Sequence, residues 1–275
     1  MMANNVAGGA VALVTGASSG IGRSCALALA SAGFRVAVHG RRVDAIASVC
    51  DEIGSDRVAG SFIADLSEQG AADRLAASAM DALPAIDALV AVAGADVLTG
   101  PAAAWPFGRK LAELVQVDLV STMLLSRRLG RTMADRHAAG GPVGGIVTIG
   151  WDQAATGMEG DSGELFAAVK GGVMAFTRSL ARSLAPGVRV NCVAPGWIRT
   201  AWGHGASAGW QERARRESLL GRWGTPDDVA AAVTWLLQPA SGFVTGQVID
   251  VNGGFRGSAG PLGGSGGRDA DRELR

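Results

Sequence analysis

The chain opens with a segment whose glycines could do chemistry. Val11–Thr15 is a β-branched run, and it passes at once into Gly16-Ala17-Ser18-Ser19-Gly20-Ile21-Gly22, after which apolar residues recur at helical spacing. Without a Cβ, the peptide N–H groups of such a turn can be approached closely. Where the turn also starts a helix, its unpaired amides and dipole attract an anion, so the chemistry on offer is the holding of a pyrophosphate. A second set of residues could move a proton. Lys170 lies in a long helical stretch with Phe166 four residues before it, and the carboxyl groups Asp118, Asp152, Asp161 and Glu164 fall near the same part of the sequence. A carboxyl kept from water is pushed toward its neutral, proton-donating form, while a nearby lysine pulls the other way.

These residues need elements to position them. Strand-sized β-branched runs occur at Val11–Thr15, Arg35–His39, Val58–Ile63, Ala88–Ala93, Gly145–Ile149, Val188–Val193 and Val248–Val251. Between them helical periodicity predicts Ile21–Ser31, Val43–Ile53, Glu68–Leu83, a long helix around Leu111–Arg136, Leu165–Leu184 and Asp227–Leu237. Strand alternating with helix predicts an α/β fold, a doubly wound parallel sheet of the Rossmann type. Any ligand should then sit beyond the carboxyl ends of the strands. A single domain over 1–255 is expected, followed by a Gly-rich flexible tail over 256–275 that has no apolar period to bury.

Composition narrows the field. Among 275 residues, 25 Lys+Arg balance 25 Asp+Glu, so no global field favours nucleic acid or an anionic membrane surface. Apolar runs are broken before the roughly 20 residues that a bilayer span needs, and the first residues carry no basic leader, so a cytoplasmic protein is expected. Cys25, Cys50 and Cys192 are widely spaced, with only His39, His137 and His204 to share a metal; reduced thiols and no metal site are expected.

The spacing T-G-x-x-x-G-x-G at Thr15–Gly22 resembles the short-chain dehydrogenase/reductase family. The resemblance continues through Asp65, Ala93-Gly94, Lys170, the run from Asn191 through Pro195-Gly196 to Ile198 and Thr200, Gly221-Arg222, and Gly246-Gln247 through Asn252-Gly253-Gly254. It implies a dinucleotide held by Gly16, Ser18, Ser19, Gly20, Ile21 and Gly22. Asp65 would meet the adenine, Ala93 and Gly94 the adenine ribose, Lys170 the ribose hydroxyls next to the nicotinamide, and Pro195, Gly196, Ile198 and Thr200 the nicotinamide end. Relatives that choose NAD carry an acidic residue at the close of the second strand, whereas this chain has His39-Gly40-Arg41-Arg42. A guanidinium there can pair with a 2′-phosphate that a carboxylate would repel, so the expected cofactor is NADP(H), with Arg41 the main clamp and Arg42 or Arg23 helping. The family also implies a homodimer or homotetramer, built through the two long helices and the last strand, and a small-molecule substrate.

The chain departs from the family where the family does its proton chemistry. Relatives use a Tyr four residues before the Lys, and here that place is Phe166 in a chain with no Tyr at all. A phenyl ring has no proton to give, which removes a general-acid step worth ~10²–10⁴ in rate. The family's Ser falls on Trp151 counting from the strand, or on Gln153 counting back from Phe166, so the loop 154–164 carries about two extra residues. Asp118 stands where relatives have Asn, and Ala91-Val92 stand before Ala93-Gly94 where they usually have two Asn. Of the replacement acids, Asp152 is preferred, because family members that reduce pteridine C=N bonds carry Asp at the Ser position; Asp118 and Asp161 or Glu164 are the alternatives.

The expected reaction is therefore NADPH-dependent reduction of a C=N or an activated C=C or C=O group on a flat or apolar molecule, since such acceptors need less acid than an isolated ketone. Trp151, Phe166 and Met158 would wall the pocket, and a flexible segment after Thr200, carrying Trp202, Trp210 and Trp223, would cover it. Two other classes stay open: a non-redox cyclase, dehydratase or isomerase using Asp118 or Asp152, and a catalytically silent nucleotide-binding subunit.

Overall fold

A computed structural model describes residues 9–255. Seven strands form one parallel sheet in the order β3-β2-β1-β4-β5-β6-β7: β1 Val11–Thr15, β2 Arg35–Gly40, β3 Val58–Ile63, β4 Ala88–Ala91, β5 Gly144–Ile149, β6 Val188–Pro195 and β7 Val248–Val251. The order reverses between β1 and β4, which opens a crevice at the carboxyl ends of those two strands. Every residue of β1, β4 and β5 is buried, as an interior parallel strand covered on both faces must be, and this is why these strands read as unbroken apolar runs.

The helices α1 Gly20–Ser31, α2 Val43–Ile53 and α9 Pro226–Leu237 cover one face, where Leu29, Ile46 and Leu236 join Val14, Val36 and Val90 in a single core. On the other face α3 Ala71–Ala82, α5 Ser121–Ala138 and α6 Gly160–Leu184 bring Leu75, Leu125, Leu129 and Leu180 against Leu13, Leu89 and Ile146. The remaining helices are α4 Phe107–Leu114, which leads into α5, and α7 Ala201–Gly205 and α8 Ala208–Glu217 after β6.

The strands and most helices stand close to where periodicity placed them, and the differences have physical causes. β4 ends at Ala91 rather than Ala93, because the N–H groups of Val92 and Ala93 both donate to Thr15 Oγ1 (3.1 Å each) and leave the ladder. Gly70, at φ +76°, delays α3 to Ala71. The single long helix expected around 111–136 is instead α4 and α5 joined by a π-helical turn, Val115–Val120. Much of the loop expected at 154–164 is the start of α6, and the segment after Thr200 is helical where flexible chain was expected. The expected tail, 256–275, lies outside the described residues. Among the described residues, no helix is long and apolar enough to cross a membrane.

Thr15 is 1% exposed and serves two amides at once. Thr15→Val, which keeps the shape and removes the acceptor, should lower unfolding stability in urea by about 2–4 kcal/mol, with Thr15→Ser recovering most of it.

Candidate active site

The sharp exit from β1 demands two of its glycines. Gly16 has φ +66°, and a Cβ there would lie 2.8 Å from Ala93 Cα, while a Cβ on Gly22 would collide with the Gly16 carbonyl. Gly20, φ +51°, opens α1 and faces the Thr200 methyl, which is 3.6 Å from where its Cβ would stand. Ser19 precedes α1 in an extended conformation and makes no side-chain cap, so the first amides of this helix have no capping side chain from Ser19. Amides at a helix start with no capping side chain have the chemistry of an anion site.

The ends of β2 and β3 lie alongside. His39 is buried with Nε2 at 3.2 Å from the Ala64 carbonyl oxygen, and burial lowers its pKa to about 4, so the ring is neutral at pH 7. Arg41 is largely exposed and 3.9 Å from Asp65. Burial pushes the Asp65 carboxyl up, but the Ser67 amide and Arg41 outweigh it and hold the group below the usual carboxylate range. Arg42 is exposed at the head of α2, whereas Arg23 is paired with Glu52 of α2. Arg23, expected with Arg42 as a helper to Arg41, is half-exposed and holds this ion pair at the surface.

The π turn brings Asp118 inward to 2% exposure. Its Oδ1 is 2.8 Å from Lys170 Nζ, its Oδ2 accepts from the Ala95 N–H at 2.8 Å, and Gly94 packs so closely that a Cβ would be 3.0 Å from Oδ1. Both carboxylate oxygens are therefore engaged, an arrangement of a counter-ion rather than of a proton donor. Phe166 packs on the small apolar cluster of Val97, Leu114, Leu165 and Val169, and its ring meets Trp151 edge-on at 6.5 Å. Asp161 and Glu164 are exposed on the first turns of α6.

Asp152 behaves differently. It begins a short 3₁₀ turn after β5, is 9% exposed, and its Oδ2 accepts from Asn252 Nδ2 at 3.1 Å. The same oxygen presses on the Pro195-Gly196 turn, 2.9 Å from where a Gly196 Cβ would stand. Oδ1 is buried without a hydrogen-bond partner among the described residues. Burial, outweighing the Asn252 hydrogen bond, raises the Asp152 pKa to about 6. Asn252 was legible only as part of an Asn-Gly-Gly landmark; its partnership with a residue 100 positions away was not.

Above the strand ends, α8 packs through Trp197, whose Nε1–H donates to Glu217 Oε2 at 2.9 Å, with the Trp210 and Trp223 rings 5.3 and 6.0 Å from its own. Arg213 pairs with Glu217 within α8 and with Glu159 just before α6. The Arg213–Glu217 spacing of four was available to sequence reading, whereas Glu159 was not.

A doubly wound sheet with a glycine turn at its strand-order reversal, and a lysine helix beside it, defines a nucleotide-binding α/β oxidoreductase. Residues 16–256 match the family described as Enoyl-(Acyl carrier protein) reductase. Nodulation protein G of Rhizobium sp. (strain N33) is 34% identical over 90% of this chain and 97% of its own length. The 3-oxoacyl-[acyl-carrier-protein] reductase of Aquifex aeolicus is 33% identical over 90% of this chain and 97% of its own. Among solved structures, the NADP-bound 3-oxoacyl (acyl-carrier-protein) reductase of Agrobacterium tumefaciens C58 superimposes with a TM-score of 0.78 at 31% identity, covering 90% of this chain and 94% of that one. The chain belongs to the short-chain dehydrogenase/reductase family.

Because its folded pKa lies above its ordinary value, Asp152 adds stability below about pH 4, and that contribution is lost as pH rises through about 6. Asp152→Asn, which keeps an acceptor for Asn252, should therefore stabilise the protein at pH 7.5 by up to about 3 kcal/mol, the gain vanishing in melts near pH 4.

Proposed function

We propose that this oxidoreductase uses NADP(H) to reduce a C=N or an activated C=C or C=O group of a flat or apolar small molecule, with Asp152 as the proton donor. The observation that carries the proton-donor reading is the buried, unpartnered Asp152 Oδ1, set against the Pro195-Gly196 turn. The cofactor reading is supported by a cradle that leaves no space for a Cβ at Gly16 or Gly22, and by a relative of known structure with NADP bound. In this reading Gly16 to Gly22, with Ser18, Ser19 and Ile21, hold the pyrophosphate. Arg41 and Arg42 take the 2′-phosphate, Asp65 the adenine, Ala93 and Gly94 the adenine ribose, and Pro195, Gly196, Ile198 and Thr200 the nicotinamide end. When bound, the cofactor supplies hydride.

The chain's own residues do the rest. Lys170, fixed by Asp118, presents its remaining N–H donors to hydroxyl groups. Trp151 and Phe166 exclude water with apolar rings. Asp152 holds a proton up to about pH 6, well above the range of a free carboxyl, because burial disfavours its charged form. An acceptor already activated by conjugation or protonation needs less help from an acid than an isolated ketone does, which suits a site that has this carboxyl and no tyrosine. Relatives that are reductases and dehydrogenases favour this redox reading over isomerisation or a silent subunit. A homodimer or homotetramer belongs to the same proposal, supported by exposed apolar side chains at Met123 and Leu124 of α5, Trp235 of α9 and Phe243 before β7.

Energy transfer from tryptophan to reduced nicotinamide should show NADPH bound more tightly than NADH, and Arg41→Ala should weaken NADPH by about tenfold while leaving NADH unchanged. Equal affinities in the native protein would remove the 2′-phosphate role. Asp152→Asn should cut turnover of an enone or imine at least about tenfold with NADPH affinity unchanged, and full turnover in that variant would remove Asp152 as donor.

A further inference from the structure

Arg213 reaches two carboxylates that are not equivalent. Its Nε donates to Glu217 Oε1 at 2.9 Å, one helical turn further along α8. Its two terminal nitrogens donate to Glu159, Nη1 to Oε1 at 2.6 Å and Nη2 to Oε2 at 3.3 Å, the paired geometry in which a guanidinium fork recognises a carboxylate. Glu217 is 2% exposed and also accepts from Trp197, so losing Arg213 would leave a buried charge without compensation. Glu159, by contrast, has a side chain 68% exposed and sits in the loop that carries the extra residues, just before α6. Its carboxylate can turn to water at small cost.

The fork itself is desolvated and walled. The Arg213 side chain is 14% exposed, with its guanidinium carbon 5.1 Å from the Trp210 ring centre and 5.9 Å from that of Trp197. Trp197, one wall of the fork, directly follows Gly196, against which Asp152 packs. Arg213 is a preformed two-donor site with aromatic sides, and its outer partner is supplied by the chain's own loop.

We propose that the Arg213 fork is a binding site for the carboxylate of a small flat molecule, and that Glu159 fills the site until such a molecule arrives. An incoming carboxylate replaces Glu159 oxygen for oxygen, so the charge balance around Arg213 is kept, and a planar group attached to it can lie against the Trp210 and Trp197 rings. Placing this fork at the substrate mouth rests on the reading of the cleft given above. The binding itself does not, and it is measured without nucleotide.

Benzoate, with benzamide as its neutral counterpart, is titrated into the intact protein and followed by tryptophan fluorescence and calorimetry. Benzoate should bind where benzamide does not. Glu159→Gln, which removes the competing charge from an exposed position, should tighten benzoate about tenfold, and Arg213→Lys, which keeps the charge beside Glu217 but loses the fork, should weaken it at least about tenfold. Thermal melts establish that both variants are folded, and Glu159→Gln decides the matter even if Arg213→Lys melts early. Benzoate affinity unchanged in Glu159→Gln, absent in both the native protein and that variant, or matched by benzamide would overturn the proposal and leave Glu159–Arg213 a clasp between α6 and α8. An NADPH titration of the same samples separates the two readings, since its failure would sink the cofactor assignment and leave the benzoate result standing.

Discussion

The hydroxyl of Thr15 holds together the place where everything else in this protein happens. Two neighbouring strands of a parallel sheet must part at their carboxyl ends if a crevice is to form between them, and parting leaves amides without ladder partners. Thr15 Oγ1 accepts from Val92 and Ala93 at that point, so β4 peels away from β1 without an orphaned donor. The same separation lets the chain after β1 turn on Gly16 directly over Ala93, with no atom to spare between them. The glycine turn, the end of β4 and, through Gly94 and Ala95, the Asp118 carboxylate are therefore one packed unit.

Charge inside this unit is handled in two ways. Lys170 is neutralised by Asp118, and Glu217 by Arg213 and the Trp197 N–H, because an ion left alone in such surroundings would lose several kcal/mol of hydration. Asp152 is the exception. Among the described residues it has no cation beside it, only neutral donors, Asn252 and the nearby Gln153 and Asp152 backbone, and an acid residue, Asp250, that pushes its pKa in the same direction as burial. A carboxyl so placed stabilises the protein when it is protonated, and the fold bears the cost of its ionised form. That imbalance singles out Asp152 among the carboxylates of the cleft.

The helices after Thr200 show how a polar segment can be held against the fold. α8 carries a strongly polar sequence, and its attachment is made by aromatic rings and by a guanidinium shared between an exposed and a buried glutamate. Of these contacts the Arg213–Glu159 pair is the one whose partner can turn to water.

Local residue order determined much of this protein. The short apolar and β-branched runs placed all seven strands: the interior strands β1, β4 and β5 are buried on both faces and have no choice but to be apolar, and the half-exposed edge strands β3 and β7 still carry Val and Ile. The glycine turn was legible because its φ angles and close approaches at Gly16 and Gly22 leave no room for a side chain, and the absence of any tyrosine hydroxyl is plain from composition alone. The roles of the carboxylates were decided only by the tertiary structure. Asp118, Asp152 and Asp161 are the same chemical group in sequence. A π turn draws the first onto Lys170, a 3₁₀ turn buries the second against Gly196 and Asn252, and the third stays on the exposed side of α6. Likewise nothing in the sequence joins Glu159 to Arg213. A charge acquires its role from the burial and partners that folding gives it, and those partners here lie 52, 100 and 54 residues away, beyond the reach of any local pattern.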